Sequence, residues 1–155
     1  MENKPQVGVA SFVINKDGKI LLGKRKSDYG FGLWGLPGGK LKLCENPETA
    51  AIRETMEETG MYIKIEEKFT FVSSVTNVTP EHWITLLYIC TPLNDHDEPK
   101  LTEPDKFYTW KWFYINDIQS RPDLFYPLDA FFSNKQYVKK LNEYVRKYGF
   151  QSWSK

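Results

Sequence analysis

The stretch GKLKLCENPETAAIRETMEETGM, residues 39–61, contains a helix with clear start and stop signals. Asn46 suits the N-cap and Pro47 suits the first helical position, where a missing N–H costs nothing. Gly60 suits the left-handed residue that commonly ends a helix. The stretch therefore predicts a helix over roughly residues 47–59.

The predicted helix carries three glutamates close together. At about 100° per residue, Glu54, Glu57 and Glu58 fall within about 100° of one another, whereas Thr55 and Met56 lie on the side available to the core. Like charges three or four residues apart destabilise a helix by roughly 0.2–0.5 kcal/mol per pair. Negative charge near the helix C-terminus is also disfavoured by the helix dipole. A solvated acidic face would explain the cluster, and so would a cation site.

Two glycines ahead of the predicted helix favour the cation site. Mg²⁺ prefers oxygen ligands and usually keeps waters and substrate phosphates in its coordination shell. Gly38 and Gly39 have no side chains, so their backbone can come close to such a site. The carboxylates and the glycines together predict a site for a divalent cation that carries phosphates.

The rest of the chain consists mainly of predicted strands. Five segments are rich in apolar, β-branched and aromatic residues: 6–14, 19–24, 62–74, 83–91 and 108–115. Turn residues between the first two predict a hairpin. Apolar residues at helical spacing predict a last helix over about residues 135–148. Since strands outnumber helices without strict alternation, the predicted fold class is α+β, or an α/β/α sandwich with a mixed sheet.

The glycine and charged residues of residues 39–61 resemble the box of the Nudix hydrolase family, written G-x5-E-x7-R-E-U-x-E-E-x-G-U, where U is a bulky aliphatic residue. The matching residues are Gly39, Glu45, Arg53, Glu54, Glu57, Glu58, Gly60 and Met61. One position departs, because Thr55 stands where the pattern has a bulky aliphatic residue. A threonine weakens an apolar contact but alters neither charge nor spacing, so we expect the site to work.

The resemblance continues outside the box and covers roughly residues 6–130. LLGKRK (21–26), LPGG (36–39), HWITLLY (82–88) and the segment 101–128 are similar to the MutT branch, especially its nucleotide triphosphate diphosphatases. The resemblance implies a Nudix-type α/β/α sandwich with a mixed β-sheet. We expect residues 1–155 to form a single domain, with no room for a further N-terminal domain before the first strand.

The family resemblance implies hydrolysis of a nucleoside diphosphate linked to another group, with Mg²⁺ or Mn²⁺. It implies metal ligands at Glu54, Glu57 and Glu58, with the Gly38 carbonyl as an additional ligand. Arg53 stays protonated and so is no base, but its guanidinium suits the orientation of a neighbouring carboxylate such as Glu45.

Other site residues are candidates by the same resemblance. The general base is Glu54 or Glu58, or else Glu103 from the loop before the last strand. Arg25 corresponds to a region that contacts substrate phosphate. Flat aromatic side chains suit a nucleobase, and the candidates for its pocket are Phe125, Tyr126 and Trp34.

The leading functional hypothesis is Mg²⁺-dependent hydrolysis of a nucleoside triphosphate, ordinary or modified, to nucleoside monophosphate and pyrophosphate. The first alternative is hydrolysis of a nucleotide sugar or ADP-ribose. A non-catalytic nucleotide-binding module is a third, but such modules commonly lose glutamates of the box, and this chain keeps all four. No residue pattern selects one nucleotide.

Composition limits the partners. The chain has 21 Lys and Arg residues against 20 Asp and Glu residues, a formal charge of +1, which argues against a general nucleic-acid or membrane surface. The two cysteines, Cys44 and Cys90, are far apart and are expected to be unpaired thiols. No basic segment precedes a long apolar run. We expect a cytoplasmic monomer or homodimer whose partner is a small nucleotide.

Overall fold

The computed structural model of the protein describes residues 4–77 and 80–150. Seven strands and four helices follow one another within these residues: β1 (Gln6–Val13), β2 (Ile20–Arg25), β3 (Trp34–Gly35), β4 (Gly38–Lys40), α1 (Pro47–Thr59), β5 (Ile63–Thr76), β6 (Glu81–Pro92), β7 (Phe107–Phe113), α2 (Ile115–Gln119), α3 (Tyr126–Phe132) and α4 (Lys135–Tyr148).

The strands form two sheets. The larger sheet has the order β4-β1-β6-β5, and it is mixed because β1 and β6 are parallel while the other pairs are antiparallel. The smaller sheet has the order β3-β2-β7 and is antiparallel. In the larger sheet Gly8 of β1 lies opposite Thr85 of β6, which places two small residues side by side.

Helices cover both faces of the larger sheet. Ala10 and Phe12 of β1 lie in a core cluster with residues of α3 and α4. The alternate residues Val9 and Val13 lie in a second cluster with Ala50 of α1. Successive side chains of a strand point to opposite faces, so β1 separates two cores. This arrangement confirms the α+β fold class and the α/β/α sandwich.

The predicted hairpin between the first two strands is wrong. β1 and β2 belong to different sheets, and they meet at the turn through a bridge between Ile14 and Ile20 rather than as paired strands. The turn forms as its composition suggests, with the side chain of Asn15 accepting hydrogen bonds from the N–H groups of Asp17 and Lys19. Beyond the bridge both strands are buried, and each pairs with strands from distant parts of the chain.

The helix boundaries confirm the cap signals. α1 begins after Asn46, whose side chain accepts from the N–H of Glu48, and ends at Gly60 with φ 71°. α4 spans Lys135–Tyr148 as predicted, after an N-cap at Asn134. The short helices α2 and α3 were missed, because five and seven residues are too few to show a helical period.

In residues 4–77 and 80–150, no helix has both the length and the apolar character needed to cross a membrane. The expectation of unpaired thiols is confirmed, with Cys44 exposed and Cys90 buried. Burial raises the pKa of Cys90 to about 12.

The two thiols should therefore differ in reactivity, since only the thiolate reacts. With an aromatic disulfide reagent at about pH 8, we expect one thiol to react rapidly in the folded protein and two in denaturant. Cys44→Ser should abolish the rapid phase. Two rapid thiols in the folded protein, or a rapid phase that survives in Cys44→Ser, would contradict the burial of Cys90.

Candidate functional site

A cavity of about 330 Å³ lies where β1, β4, α1 and β6 meet the loop after β2 and the start of α3. One end is acidic and glycine-rich, with Glu54, Glu58, Gly38 and Gly39 in its wall. The rest of the wall is aromatic, apolar and basic: Gly8, Val9, Ala10, Arg25, Ser27, Tyr29, Leu36, Lys40, Trp83, Thr85, Lys106, Phe107, Phe125, Pro127 and Leu128.

Glu58 is the most buried carboxylate of the acidic end. It is only 6% exposed, and it accepts a hydrogen bond from the N–H of Gly38 at 2.9 Å. Burial raises the pKa of Glu58 well above its ordinary value, and the nearby charges of Glu54 and Glu103 raise it further. Burial also raises the pKa of Glu54, although Arg53 opposes that shift. Two partly desolvated carboxylates in one cavity favour the binding of a cation or a proton.

Gly38 and Gly39 are required at this end of the cavity because neighbouring atoms come too close to leave room for a side chain. A Cβ on Gly39 would lie 2.6 Å from each carboxylate oxygen of Glu54. A Cβ on Gly38 would lie 2.9 Å from the Cα of Ala10 and would also collide with the carbonyl oxygen of Val9. Side chains at these positions would separate β4 from β1 or displace a carboxylate.

Arg53 holds three carboxylates together. Its Nε donates to Glu45 at 2.7 Å, and its Nη1 donates to Glu54 at 2.9 Å and to Glu57 at 3.3 Å. The pKa of Arg53 is raised by these partners, with Glu45 contributing most, and the pKa of Glu45 is lowered to about 2, mainly by Arg53. The side chain of Glu57 is 44% exposed and lies outside the cavity wall.

Thr55, the departure from the box pattern, is fully buried. Its hydroxyl donates to the carbonyl of Ala51 at 2.8 Å and lies 3.4 Å from the hydroxyl oxygen of Ser11. The hydroxyl is thus satisfied within the core, in line with the expectation that Thr55 leaves the site intact. The placement of Met56 on the core side is wrong, because this side chain is 37% exposed while Glu58 is turned inward.

The carboxylates have the chemistry of a site for a hard divalent cation. Glu54 and Glu58 present oxygen ligands to the cavity, and Glu57 lies one helical turn from Glu54, held by Arg53. Among the described residues, no three His, Cys, Asp or Glu side chains are grouped as a ready metal cluster. Glu57 as a third ligand stays a prediction. The Gly38 carbonyl as a ligand stays a prediction.

Glu103 lies at the edge of the acidic end, in the loop before β7. Its carboxylate is 3.4 Å from the Nζ of Lys106, and its negative charge acts on both Glu54 and Glu58. Lys106 and Lys40 reach the cavity wall, although the sequence analysis did not select either lysine. The position of each lysine was a usable signal in the sequence. Lys40 directly follows the two glycines, and Lys106 lies three residues after Glu103.

The aromatic part of the cavity differs from the predicted pocket. Phe125 lies in the wall, while Tyr126 lies beside it, 5.4 Å between ring centroids. The assignment of Trp34 to the nucleobase pocket needs correction, because this side chain is 6% exposed and packs in the core against Phe113, with 5.1 Å between ring centroids. The tryptophan in the wall is instead Trp83 of β6.

The sequence analysis also missed Tyr29, in the loop after β2, and Thr85 of β6. Trp83 and Thr85 reach the cavity because β6 pairs with β1 in a parallel register, which no local pattern predicts. Arg25 lies in the wall, whereas Lys24 and Lys26 approach the ring of Tyr108, and the predicted contact of Arg25 with phosphate stays a prediction.

Known proteins are similar to this chain in sequence and in fold. Residues 4–134 match the model of the NUDIX domain. A MutT-like protein of Streptomyces ambofaciens is 37% identical over 56% of this chain and 51% of its own length. An ADP-ribose pyrophosphatase of Methanocaldococcus jannaschii is 39% identical over 50% of this chain and 46% of its own. The chain thus spans about half the length of these two relatives.

A further relative and a solved structure match more of their own length. An 8-oxo-dGTP diphosphatase of Proteus vulgaris is 35% identical over 57% of this chain and 78% of its own length. The crystal structure of a MutT NUDIX hydrolase from Burkholderia pseudomallei is 32% identical, with a TM-score of 0.67 over 88% of this chain and 98% of that one. The chain belongs to the Nudix hydrolase family. Within that family it is similar to MutT-like members, as the segments outside the box predicted.

The two glycines should tolerate alanine differently. In Gly38→Ala the new Cβ meets main-chain atoms that have no room to move, so we expect a loss of about 1–3 kcal/mol in the free energy of unfolding. In Gly39→Ala the new Cβ meets the end of a flexible glutamate side chain, so we expect the free energy of unfolding to fall by less than about 1 kcal/mol. Urea denaturation measures both, and equal losses would contradict the geometry.

The pair Glu45–Arg53 should give the stability a specific pH dependence. Because the folded-state pKa of Glu45 is lowered from 4.5 to about 2, its contribution is full above its unfolded pKa and is lost as the pH falls through the folded pKa. The variant Glu45→Gln should therefore melt below wild type near neutral pH, and the difference should shrink between about pH 5 and pH 2.

The matched control for this measurement is Glu143→Gln, since Glu143 is exposed on α4 and pairs only weakly with Lys140, at 3.5 Å. Its melting temperature should stay close to wild type throughout. A difference between Glu45→Gln and wild type that is constant down to acid pH would show that the pKa of Glu45 is not lowered.

Proposed function

We propose that the chain hydrolyses nucleoside triphosphates, ordinary or modified, to nucleoside monophosphate and pyrophosphate by attack of water on phosphorus. Mg²⁺ is the proposed cofactor, with Mn²⁺ as a substitute. The observation that carries the proposal is a single cavity that contains the buried carboxylate of Glu58 and the half-buried carboxylate of Glu54 at one end and aromatic side chains along the rest of its wall.

The acidic end is the proposed reaction site. Glu54, Glu57 and Glu58 would hold the cation, which neutralises phosphate charge and activates water when bound. Gly38 orients the Glu58 carboxylate through its N–H, and Arg53 orients Glu54 and Glu57 while Glu45 holds Arg53 from the other side. These contacts fix the carboxylates before a substrate arrives.

Glu103 is the proposed general base, with Glu54 and Glu58 as the alternatives. A base must reach the attacking water near the reacting phosphorus. Glu103 stands at the same end of the cavity, because its charge acts on both Glu54 and Glu58. Lys106 lies 3.4 Å from Glu103 and would bring positive charge toward the phosphates, together with Lys40.

The other end of the cavity suits a nucleobase. Tyr29, Trp83 and Phe125 offer flat aromatic surfaces, and Thr85 offers a hydroxyl for a hydrogen bond. This arrangement supports the assignment of Phe125 and moves the role predicted for Trp34 to Trp83. Tyr126 supports the wall from behind through its contact with Tyr29, at 5.1 Å between ring centroids.

The alternative is hydrolysis of ADP-ribose or a nucleotide sugar, and the Methanocaldococcus jannaschii relative, named an ADP-ribose pyrophosphatase, supports it. The Proteus vulgaris relative, named an 8-oxo-dGTP diphosphatase, supports the leading proposal. A non-catalytic binding module is disfavoured because every glutamate of the box is present. We further propose a cytoplasmic monomer or homodimer that binds small nucleotides and neither nucleic acid nor membrane.

A substrate panel tests the proposal. Nucleoside triphosphates, ADP-ribose, nucleotide sugars and isoprenoid diphosphates are incubated with Mg²⁺, and pyrophosphate is measured separately from orthophosphate. We expect pyrophosphate and nucleoside monophosphate from at least one triphosphate, and no turnover with chelator. Release of orthophosphate alone, or preferred cleavage of ADP-ribose, would refute the leading proposal.

Substitution of the buried glutamate tests the cation site. In Glu58→Gln the amide oxygen still accepts from Gly38, but a buried charge is removed. We therefore expect melting at or above the wild-type temperature in chelator, and a loss of at least about 100-fold in Mg²⁺-dependent turnover. Binding of Mn²⁺, followed by electron paramagnetic resonance, should weaken in parallel. Glu143→Gln is the control, and turnover that survives in Glu58→Gln would remove Glu58 from the site.

A further inference from the structure

Arg25 makes several of the hydrogen bonds that hold the loop 26–33, called here the Tyr29 loop. The main-chain N–H of Arg25 donates to the carbonyl of Leu33, and the N–H of Gly32 donates to the carbonyl of Arg25, each at 2.8 Å. The side chain of Arg25 reaches the middle of the loop, where Nε and Nη2 donate to the carbonyl of Tyr29 at 3.1 and 3.0 Å. Arg25 thus ties both the base and the middle of the loop.

The same guanidinium packs on the aromatic wall of the cavity. Its central carbon lies 3.9 Å from the ring centroid of Phe125, and the ring of Tyr29 meets Phe125 edge-on at 5.6 Å and 84°. Gly30 completes the contact, since a Cβ there would lie 2.6 Å from two ring carbons of Phe125. Arg25, Tyr29 and Gly30 therefore close over Phe125 as one packed unit.

This geometry bears on the role predicted for Arg25. Two of its donor nitrogens are occupied by a carbonyl of its own chain, and its flat face is covered by an aromatic ring. Two lysines, by contrast, also line the cavity: Lys40 directly follows Gly39, and the amine of Lys106 lies 3.4 Å from Glu103. The charges of Arg25 and Lys106 both act on Glu58, but the guanidinium of Arg25 makes its contacts with the Tyr29 carbonyl and the ring of Phe125.

We propose that Arg25 is a positioning residue that fixes Tyr29 and Phe125 as the surface against which the nucleobase packs. In this role Arg25 determines selectivity among nucleobases, while affinity for the phosphates depends on the acidic end and the lysines. The inference rests on the proposed function, in which the cavity receives a nucleoside polyphosphate. The planar guanidinium of arginine can donate hydrogen bonds and stack on a ring at the same time. The ammonium group of lysine carries the same charge but cannot replace it in both contacts.

The test uses Arg25→Lys, which keeps the charge and removes the fork. GTP and CTP share the triphosphate and differ in the base, so the ratio of their kcat/KM values reports base selectivity. We expect Arg25→Lys to change that ratio by at least about 10-fold, the size of one well-packed contact. Inhibition by imidodiphosphate with Mg²⁺, which reports phosphate affinity alone, should change less than about 2-fold.

Two further variants separate the roles. Tyr29→Ala should shift the GTP-to-CTP ratio in the same direction, and the double variant should shift it no further, because both changes remove one unit. Lys106→Met should weaken inhibition by imidodiphosphate and leave the GTP-to-CTP ratio unchanged. If Arg25→Lys weakens imidodiphosphate as strongly as Lys106→Met does and leaves the ratio intact, Arg25 contacts phosphate and the proposal is overturned.

Hydrogen exchange of the ligand-free protein tests the clamp without any substrate. In Arg25→Lys the amide of Gly32 and its neighbours in the Tyr29 loop should exchange at least about 10-fold faster, while the amides of α4 stay unchanged. Unchanged exchange in the loop would overturn the proposal. If wild type cleaves no nucleoside triphosphate of the panel, the proposed function fails on its own, and the exchange rates still decide whether Arg25 holds the loop.

Discussion

The hydrogen bond from the N–H of Gly38 to the buried carboxylate of Glu58 joins the two parts of the molecule on which the site depends. It connects the short strand β4 to the C-terminal half of α1 across 20 residues of sequence. A buried charge is costly unless it is hydrogen-bonded, so this contact restricts how α1 lies on the sheet. Because the N–H comes from the main chain, β4 must lie very close to β1 and to α1, which a side chain at Gly38 would prevent.

The buried side of α1 consists mainly of small residues, which also favour a close approach of α1 to the sheet. Ala50, Ala51, Thr55 and Thr59 are all buried, and their size allows the helix axis to approach the larger sheet closely. The close approach carries Glu58 and Glu54 to the cavity while Met56 and Glu57 remain outside. Arg53 then offsets the repulsion among the outer carboxylates, with Glu45 as its strongest partner. Packing on one side of α1 and charge on the other are therefore parts of one arrangement.

The cavity brings together segments that are far apart along the chain. Its acidic end is local, built from β4 and α1, whereas its aromatic wall combines the Tyr29 loop, Trp83 of β6 and Phe125 before α3. The wall also needs the small residues Gly8 and Ala10 of β1, which leave space in front of β6. In the proposed function, the reaction chemistry lies in one short segment and the base selectivity in several distant ones.

The sequence by itself determined what depends on neighbouring residues. The cap at Asn46, the stop at Gly60 and the spacing of the charged residues act within a few positions, and they identified α1, the family and the carboxylates of the site. Tertiary structure alone decided that β1 and β2 separate into different sheets, that Glu58 rather than Met56 is turned inward, and that Trp83 rather than Trp34 lines the cavity. It also gave Arg25 its contacts with Tyr29 and Phe125. These outcomes depend on strand pairing and on packing between distant segments, because burial of apolar surface is settled over the whole domain and not by any one stretch of residues.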